Sequence, residues 1–372
     1  MDGRATPTTV MSGSIDTDCG LALHVLSEPT ETDARDGAQV VMIFHAAGLH
    51  GRCYRKLAER LRDACEVPLL IVAPDLRAHG DSIVGSNGEG ITFPNFAEDI
   101  KRLIQSRGWR GSVFGVGHSL GGMAAILAEY ANPGLFAGLW VYEPVLFTSG
   151  DFSRIASARL AENARHRRAT FPSAQAAYAS YASKPPFDAL DPDCLDDYVR
   201  FGVKETGGGD GSRDAAAAGG GGDGSVVLKC HPESEARVYM QGALPLDLDS
   251  ILPALRCATT VVSGSNVGEA NTLSRSADIV LSLIRKGGKG WGERYAFLGH
   301  FGPLERGGVG FVAGRIARGV ERVVVMTTAR GNGSTGGARE EKAANEKEEA
   351  VLPVYAMWTS PATFSSSMPS KL

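Results

Sequence analysis

Between Gln39 and Pro144 the chain alternates near-continuous apolar runs with runs of helical spacing. "QVVMIFHAA", "PLLIVAPD", "GSVFGVGHS" and "GLFAGLWVYEP" are the apolar runs. Between them lie "GRCYRKLAERLRDAC", "NFAEDIKRLIQSRG" and "LGGMAAILAEYA". Tyr54, Leu57 and Leu61 share one helical face in the first of these, and Phe96, Ile100 and Leu103 share one in the second. A strand that is apolar along its whole length is buried on both faces, and strand–helix–strand order makes neighbouring strands parallel. The pattern predicts an α/β fold: a mostly parallel sheet with helices on both faces.

After Phe147 the alternation stops. From 148 to 250 the spacing predicts an inserted helical cap without strands. One of its helices is capped by Asp191 with Pro192 in the first turn, and another begins at Pro232. The sheet then resumes with strand "CATTVVSG", helix "NTLSRSADIVLSLI", strand "RYAFLG" and a final helix near "GGVGFVAGRIARGV". The expected division is an N-terminal segment 1–37 carrying the early strand "LALHVLS", a core of 38–147 and 251–327, the cap 148–250, and a tail 328–372. The Gly/Ala-rich stretch Gly207–Ser225 is expected to be a disordered loop within the cap, and the charged, Ser/Pro-rich tail to be flexible.

With 43% hydrophobic residues in 372, the chain can bury a large core. The net charge of −4, without a basic face, argues against nucleic acid or an anionic membrane as partner. The six cysteines are scattered with no CxxC pair, as expected of reduced thiols rather than a disulfide framework or a zinc site. No apolar run approaches the ~20 residues of a membrane span, and the N-terminus lacks the apolar centre of a secretory signal. Ser370-Lys371-Leu372 spells a peroxisomal import tripeptide, so the import receptor is an expected partner and the peroxisome the expected location, or the cytoplasm if the tripeptide is not read.

"GVGHSLGG" sets Ser119 in G-x-S-x-G, after an apolar strand and before a small-residue helix. Such a turn exposes a serine hydroxyl at the carboxyl end of the sheet, as a nucleophile requires. A serine needs a base, and His300 in "FLGHFGPLE" follows the last expected strand, where its loop would emerge on the same edge. An oxyanion needs two backbone N–H donors. Leu120, after the nucleophile, offers one. The loop "HAAGLHG" offers the other, from Ala47 as first choice and Ala46 as second. In "PDLRAHGDS" Asp75 and Arg77 are expected to brace neighbouring loops, with Gly80 in a turn.

These stretches, taken together and in this order over about residues 38–320, resemble the α/β-hydrolases of the esterase, lipase and haloperoxidase-like group. "HAAGLHG" is similar to that family's oxyanion loop, with Ala46 where a glycine is usual. "DLRAHGDS", "GHSLGG" and "GHFGPLE" resemble its arginine loop, nucleophile elbow and catalytic-histidine loop. The family's acid usually follows the strand after the cap, in a G-x-x-D pattern. Here that position is Val267, preceded by Asn266, and neither carries a charge. Two carboxylates remain open. Glu143 ends the strand after the nucleophile strand, where some relatives, notably among haloalkane dehalogenases, are similar in placing a glutamate, and Glu269 lies two residues beyond Val267. The resemblance implies a triad of Ser119, His300 and Glu143, with Glu269 as the alternative acid. No metal-ligand or phosphate-loop spacing appears, so no cofactor or metal is expected, and a serine nucleophile implies hydrolysis of a small carboxylic ester, lipid-derived or otherwise, through an acyl-enzyme. An acyl-thioester hydrolase and a non-catalytic small-molecule receptor are the alternatives.

Overall fold

The computed structural model describes residues 14–15, 19–29, 37–85, 88–145, 151–206, 224–241, 247–264 and 270–331. In chain order it opens with β1 (Ser14–Ile15), β2 (Leu23–Ser27), β3 (Gln39–Phe44), α1 (Arg55–Ala64), β4 (Leu69–Pro74), α2 (Phe93–Ser106), β5 (Val113–His118), α3 (Leu120–Ala131) and β6 (Phe136–Tyr142). An insertion follows: α4 (Asp151–Arg165), β7 (Thr170–Phe171), α5 (Ala174–Ala182), α6 (Pro192–Gly202), β8 (Val203–Glu205), β9 (Val226–Leu228) and α7 (Pro232–Gln241). The chain then returns through α8 (Leu248–Ile251), β10 (Ala258–Gly264), α9 (Ala270–Lys286), β11 (Gly290–Tyr295) and α10 (Val309–Gly331).

Eight strands form one sheet in the order β1-β2-β4-β3-β5-β6-β10-β11. Only the pairs made by β2 are antiparallel. From β4 to β11 every neighbour is parallel. Because side chains alternate along a strand, each central strand feeds two cores. Val113 faces the cluster in which Ile100 and Leu103 of α2, Met123 and Ile126 of α3 and Val280 of α9 pack on Met42, Leu139 and Val141. Phe114 faces the other way and meets α10 at Gly319, while Val323 of that helix lies against Gly138.

The insertion differs from its expected all-helical form. β7, β9 and β8 make a small antiparallel sheet in that order. Strands of two or three residues are too short to show a period in sequence. β8 and β9 form a hairpin whose ends are held by Thr206 N–H on Ser225 O at 2.9 Å. Positions 207–223 of the expected disordered loop lie outside the described residues. The helix starts hold: Asp191 accepts from Asp193 N–H at 2.9 Å ahead of Pro192. Two further boundaries move. β11 begins at Gly290 and stops at Tyr295, because its register on β10 starts at Thr259 and its glycine-rich opening masks the strand. α10 runs to Gly331, into what was expected to be tail from 328; the rest of the tail lies outside the described residues.

Candidate functional site

Every stretch singled out for chemistry leaves the carboxyl edge of the parallel sheet, the ligand-binding edge of open α/β folds. Ser119 is the single residue between β5 and α3, at φ 54° and ψ −114°. A non-glycine residue in such a conformation costs about 1–3 kcal/mol, and packing must hold it there. Ser119 N–H donates to Tyr142 O at 2.9 Å, and Ser119 O accepts from Met123 N–H at 3.1 Å. The flanking glycines allow the close approach. A Cβ on Gly121 would stand 2.2 Å from Phe44 O, and one on Gly117 would stand 2.4 Å from Gly122 Cα.

Glu143 directly follows β6 and is fully buried. Its backbone is also strained, at φ 42°; Ser119, Glu143 and Ala78 are the non-glycine residues with positive φ among those described. Glu143 N–H donates to Val262 O of β10 at 2.8 Å. That bond turns the side chain toward the next loops. Oε1 accepts from Gly264 N–H at 2.8 Å, and Oε2 accepts from His300 Nδ1–H at 2.7 Å. A neutral imidazole that donates from Nδ1 keeps Nε2 as an acceptor. The structure thus joins Glu143 and His300 directly and brings Ser119 to the same edge. No hydrogen bond joins Ser119 to His300 among the described residues, which is common without a bound substrate. The alternative acid, Glu269, lies outside the described residues with Asn266 and Val267.

Sequence reasoning missed the residues that hold His300 in place. Tyr142 Oη donates to Gly299 O at 2.7 Å, and His118 Nε2 donates to His300 O at 2.7 Å. On its other side His118 Nδ1 accepts from Tyr54 Oη at 2.7 Å, and Tyr54 Oη accepts from Ala46 N–H at 3.2 Å. His118 is buried, which pushes its pKa well below the ordinary 6.5, and the neutral ring suits one donor and one acceptor. The chain of bonds ties the loop after β3 to the loop carrying His300. Its only sequence signal is a polar residue, His118, next to the elbow serine in an otherwise apolar strand.

The same bonds correct one expectation. Ala46 N–H is taken by Tyr54, so Ala46, the second-choice oxyanion donor, has no N–H to offer. Ala47 lines a small apolar cavity with Ser119, Leu120, Phe93 and Met123. Leu120, first in its helix, has no intrahelical acceptor for its N–H. The loop's shape is set by buried histidines: His45 Nδ1–H donates to Ala46 O at 2.8 Å, Leu76 N–H donates to His45 Nε2 at 2.8 Å, and Gly48 N–H donates to His79 Nε2 at 3.1 Å. Asp75 braces as expected, accepting from Gly51 N–H at 2.7 Å, Asp81 N–H at 2.7 Å and His24 Nε2 at 2.9 Å. Arg77 makes a two-pronged bond to Asp99 at 2.8 and 2.9 Å. Among the described residues, His24, Asp75 and Asp81 are grouped closely enough to consider as metal ligands. The Asp75 oxygens are already engaged by three donors, and Asp81 pairs with Lys229 and Arg52, so the group serves as a brace.

Burial lowers His45 from 6.5 to about 3 and His50 to about 4, so with His118 three rings stay neutral when folded. The unfolded chain protonates them near 6.5. Their contribution to stability is complete above that pH and is lost as pH falls toward 4. Each contributes a slope of about 1.4 kcal/mol per pH unit in that window. Denaturant unfolding at pH 7 and pH 5 should show a clearly lower midpoint at pH 5. Equal midpoints would contradict neutral burial.

The sequence profile of the alpha/beta hydrolase family matches residues 40–305. The chain belongs to the alpha/beta hydrolase family. Within it, human monoglyceride lipase is 31% identical over 116 residues, 30% of this chain and 36% of that protein. Lipase LipV of Mycobacterium tuberculosis is 32% identical over 126 residues, 34% of this chain and 45% of that protein. The aligned stretch therefore spans less than half of these curated relatives. Solved alpha/beta hydrolases share the fold over far more of the chain. The peroxisomal alpha-beta-hydrolase Lpx1 of Saccharomyces cerevisiae superposes with TM-score 0.60 at 17% identity, over 94% of this chain and 96% of that one. E-2-(acetamidomethylene)succinate hydrolase superposes with TM-score 0.61 at 17% identity, over 82% and 98%.

Proposed function

We propose that this alpha/beta hydrolase is a serine esterase that cleaves a carboxylic ester through an acyl-enzyme. The observation that carries the reading is the 2.7 Å bond from His300 Nδ1 to the buried Glu143 carboxylate, on the sheet edge where Ser119 stands at a strained turn. In this reading His300 Nε2 takes the proton from Ser119 Oγ as it attacks the ester carbonyl. Leu120 and Ala47 N–H groups receive the oxyanion. The imidazolium, stabilised by Glu143, returns the proton to the departing alcohol. Water, activated by the same ring, then releases the acid. The lining of the small cavity at Ser119, with Phe93, Met123, Val145 and Val238, favours an apolar acyl group.

The test is turnover of esters of graded acyl length beside acyl-CoA thioesters of the same chains. Faster turnover of the esters supports the reading. Faster turnover of the thioesters makes the chain a thioesterase, and binding without turnover makes it a receptor.

The location proposed is the peroxisome, read from Ser370-Lys371-Leu372. No described helix is long and apolar enough to cross a membrane. A fluorescent protein fused ahead of Met1 should collect in peroxisomes, and removal of the three residues should disperse it. An unchanged pattern after removal would rule the tripeptide out as the address.

A further inference from the structure

The insertion forms an open cavity of about 440 Å³. Its walls are largely apolar and aromatic, with Phe171, Tyr181, Phe187 and Tyr239 among them. Its charges are unbalanced: Arg167, Arg168 and Lys184 face a single carboxylate, Glu235. Arg167 is spent on the structure, since it pairs with Glu235 and donates to Tyr198 Oη at 2.6 Å. Arg168 stacks its guanidinium 4.8 Å over Phe171 and donates from Nε to Thr170 O at 2.8 Å. Among the described residues neither Arg168 nor Lys184 has a carboxylate partner. Two cations without a carboxylate partner among the described residues thus border an aromatic cavity.

The cavity also adjoins the site at the sheet edge. Tyr239 lines both it and the small cavity at Ser119. Phe187 lies 5.8 Å from the Phe301 ring, and Phe301 lies 5.6 Å from the His300 ring. One aromatic wall therefore runs from the cavity to the imidazole. Binding sites of this kind take their energy from apolar surface and their orientation from a few charges.

We propose that this cavity receives the end of the substrate remote from the scissile carbonyl, and that this end is a negatively charged group on an apolar stem. The inference rests on the reading of Ser119 as an ester-cleaving nucleophile. A carboxylate and a phosphate share the required charge. Glu235, the one carboxylate among the described lining residues, is paired with Arg167, which offsets its repulsion of either group.

The test compares three straight-chain monoesters with the same alcohol and chain length, ending in methyl, carboxylate or phosphate. In the wild-type protein kcat/KM should favour a charged ester by about tenfold, and the preference should shrink as ionic strength rises. Which of the two charged esters leads identifies the group. In Arg168→Gln/Lys184→Gln the charged-to-neutral ratio should fall toward one; both side chains are solvent-exposed, so the fold is retained. Equal or better turnover of the methyl-ended ester by wild type, or a preference that survives the double substitution, overturns the proposal. If no ester is turned over and a fluorophosphonate leaves Ser119 unmodified, the esterase reading fails by itself. Calorimetric titration of the same three compounds then decides the cavity. Tighter binding of a charged compound to wild type but not to the double variant supports it, and equal binding overturns it.

Discussion

Ser119→Ala is expected to lower ester turnover about a million-fold, the usual loss when a triad serine is removed. The substitution deletes the attacking oxygen and little else. Ser119 makes its hydrogen bonds to Tyr142 and Met123 through its backbone, and these survive in alanine. Alanine must still adopt φ 54°, a strain that serine already bears, so the melting temperature should change little. A variant that folds as wild type and keeps its turnover would remove Ser119 from the chemistry.

Glu143→Gln should cost up to about ten-thousand-fold in turnover, by analogy with other triads that lose their acid's charge. The amide keeps the size of the carboxylate, and its oxygen can still accept from Gly264 N–H. Its NH₂ group then faces His300. The imidazole must accept at Nδ1, which puts its proton on Nε2, and a protonated Nε2 cannot take the Ser119 proton. The charge that stabilises the imidazolium is also gone. Glu269→Gln should be nearly silent in the same assay, because His300 Nδ1 is already engaged by Glu143. The opposite pair of outcomes would move the acid to the later loop.

Much of this architecture is legible in the chain because its strands are buried on both faces. Continuous apolar runs such as "VVMIF" mark β3 and its neighbours, and the turn chemistry of "GVGHSLGG" places the elbow. What escapes the sequence has two causes. β7, β8 and β9 are too short to display alternation, so the insertion reads as helical. The contacts among Tyr54, His118, Tyr142 and the Gly299–His300 backbone join residues up to 182 positions apart, and no local pattern announces them. The Ala46 expectation failed for the same reason: its N–H is claimed by a tyrosine from the following helical turn. The sequence leaves Glu143 as one of two open carboxylates, because its contact with His300, 157 positions away, exists only in three dimensions.

The central claim is that Ser119, His300 and Glu143 act as one unit. The most direct measurement is the rate and site of fluorophosphonate modification, read by peptide mass spectrometry in wild type and in Glu143→Gln. A single adduct on Ser119, formed quickly in wild type and orders of magnitude more slowly in Glu143→Gln, is the predicted result. An adduct on another residue, or equal rates in the two proteins, would contradict it.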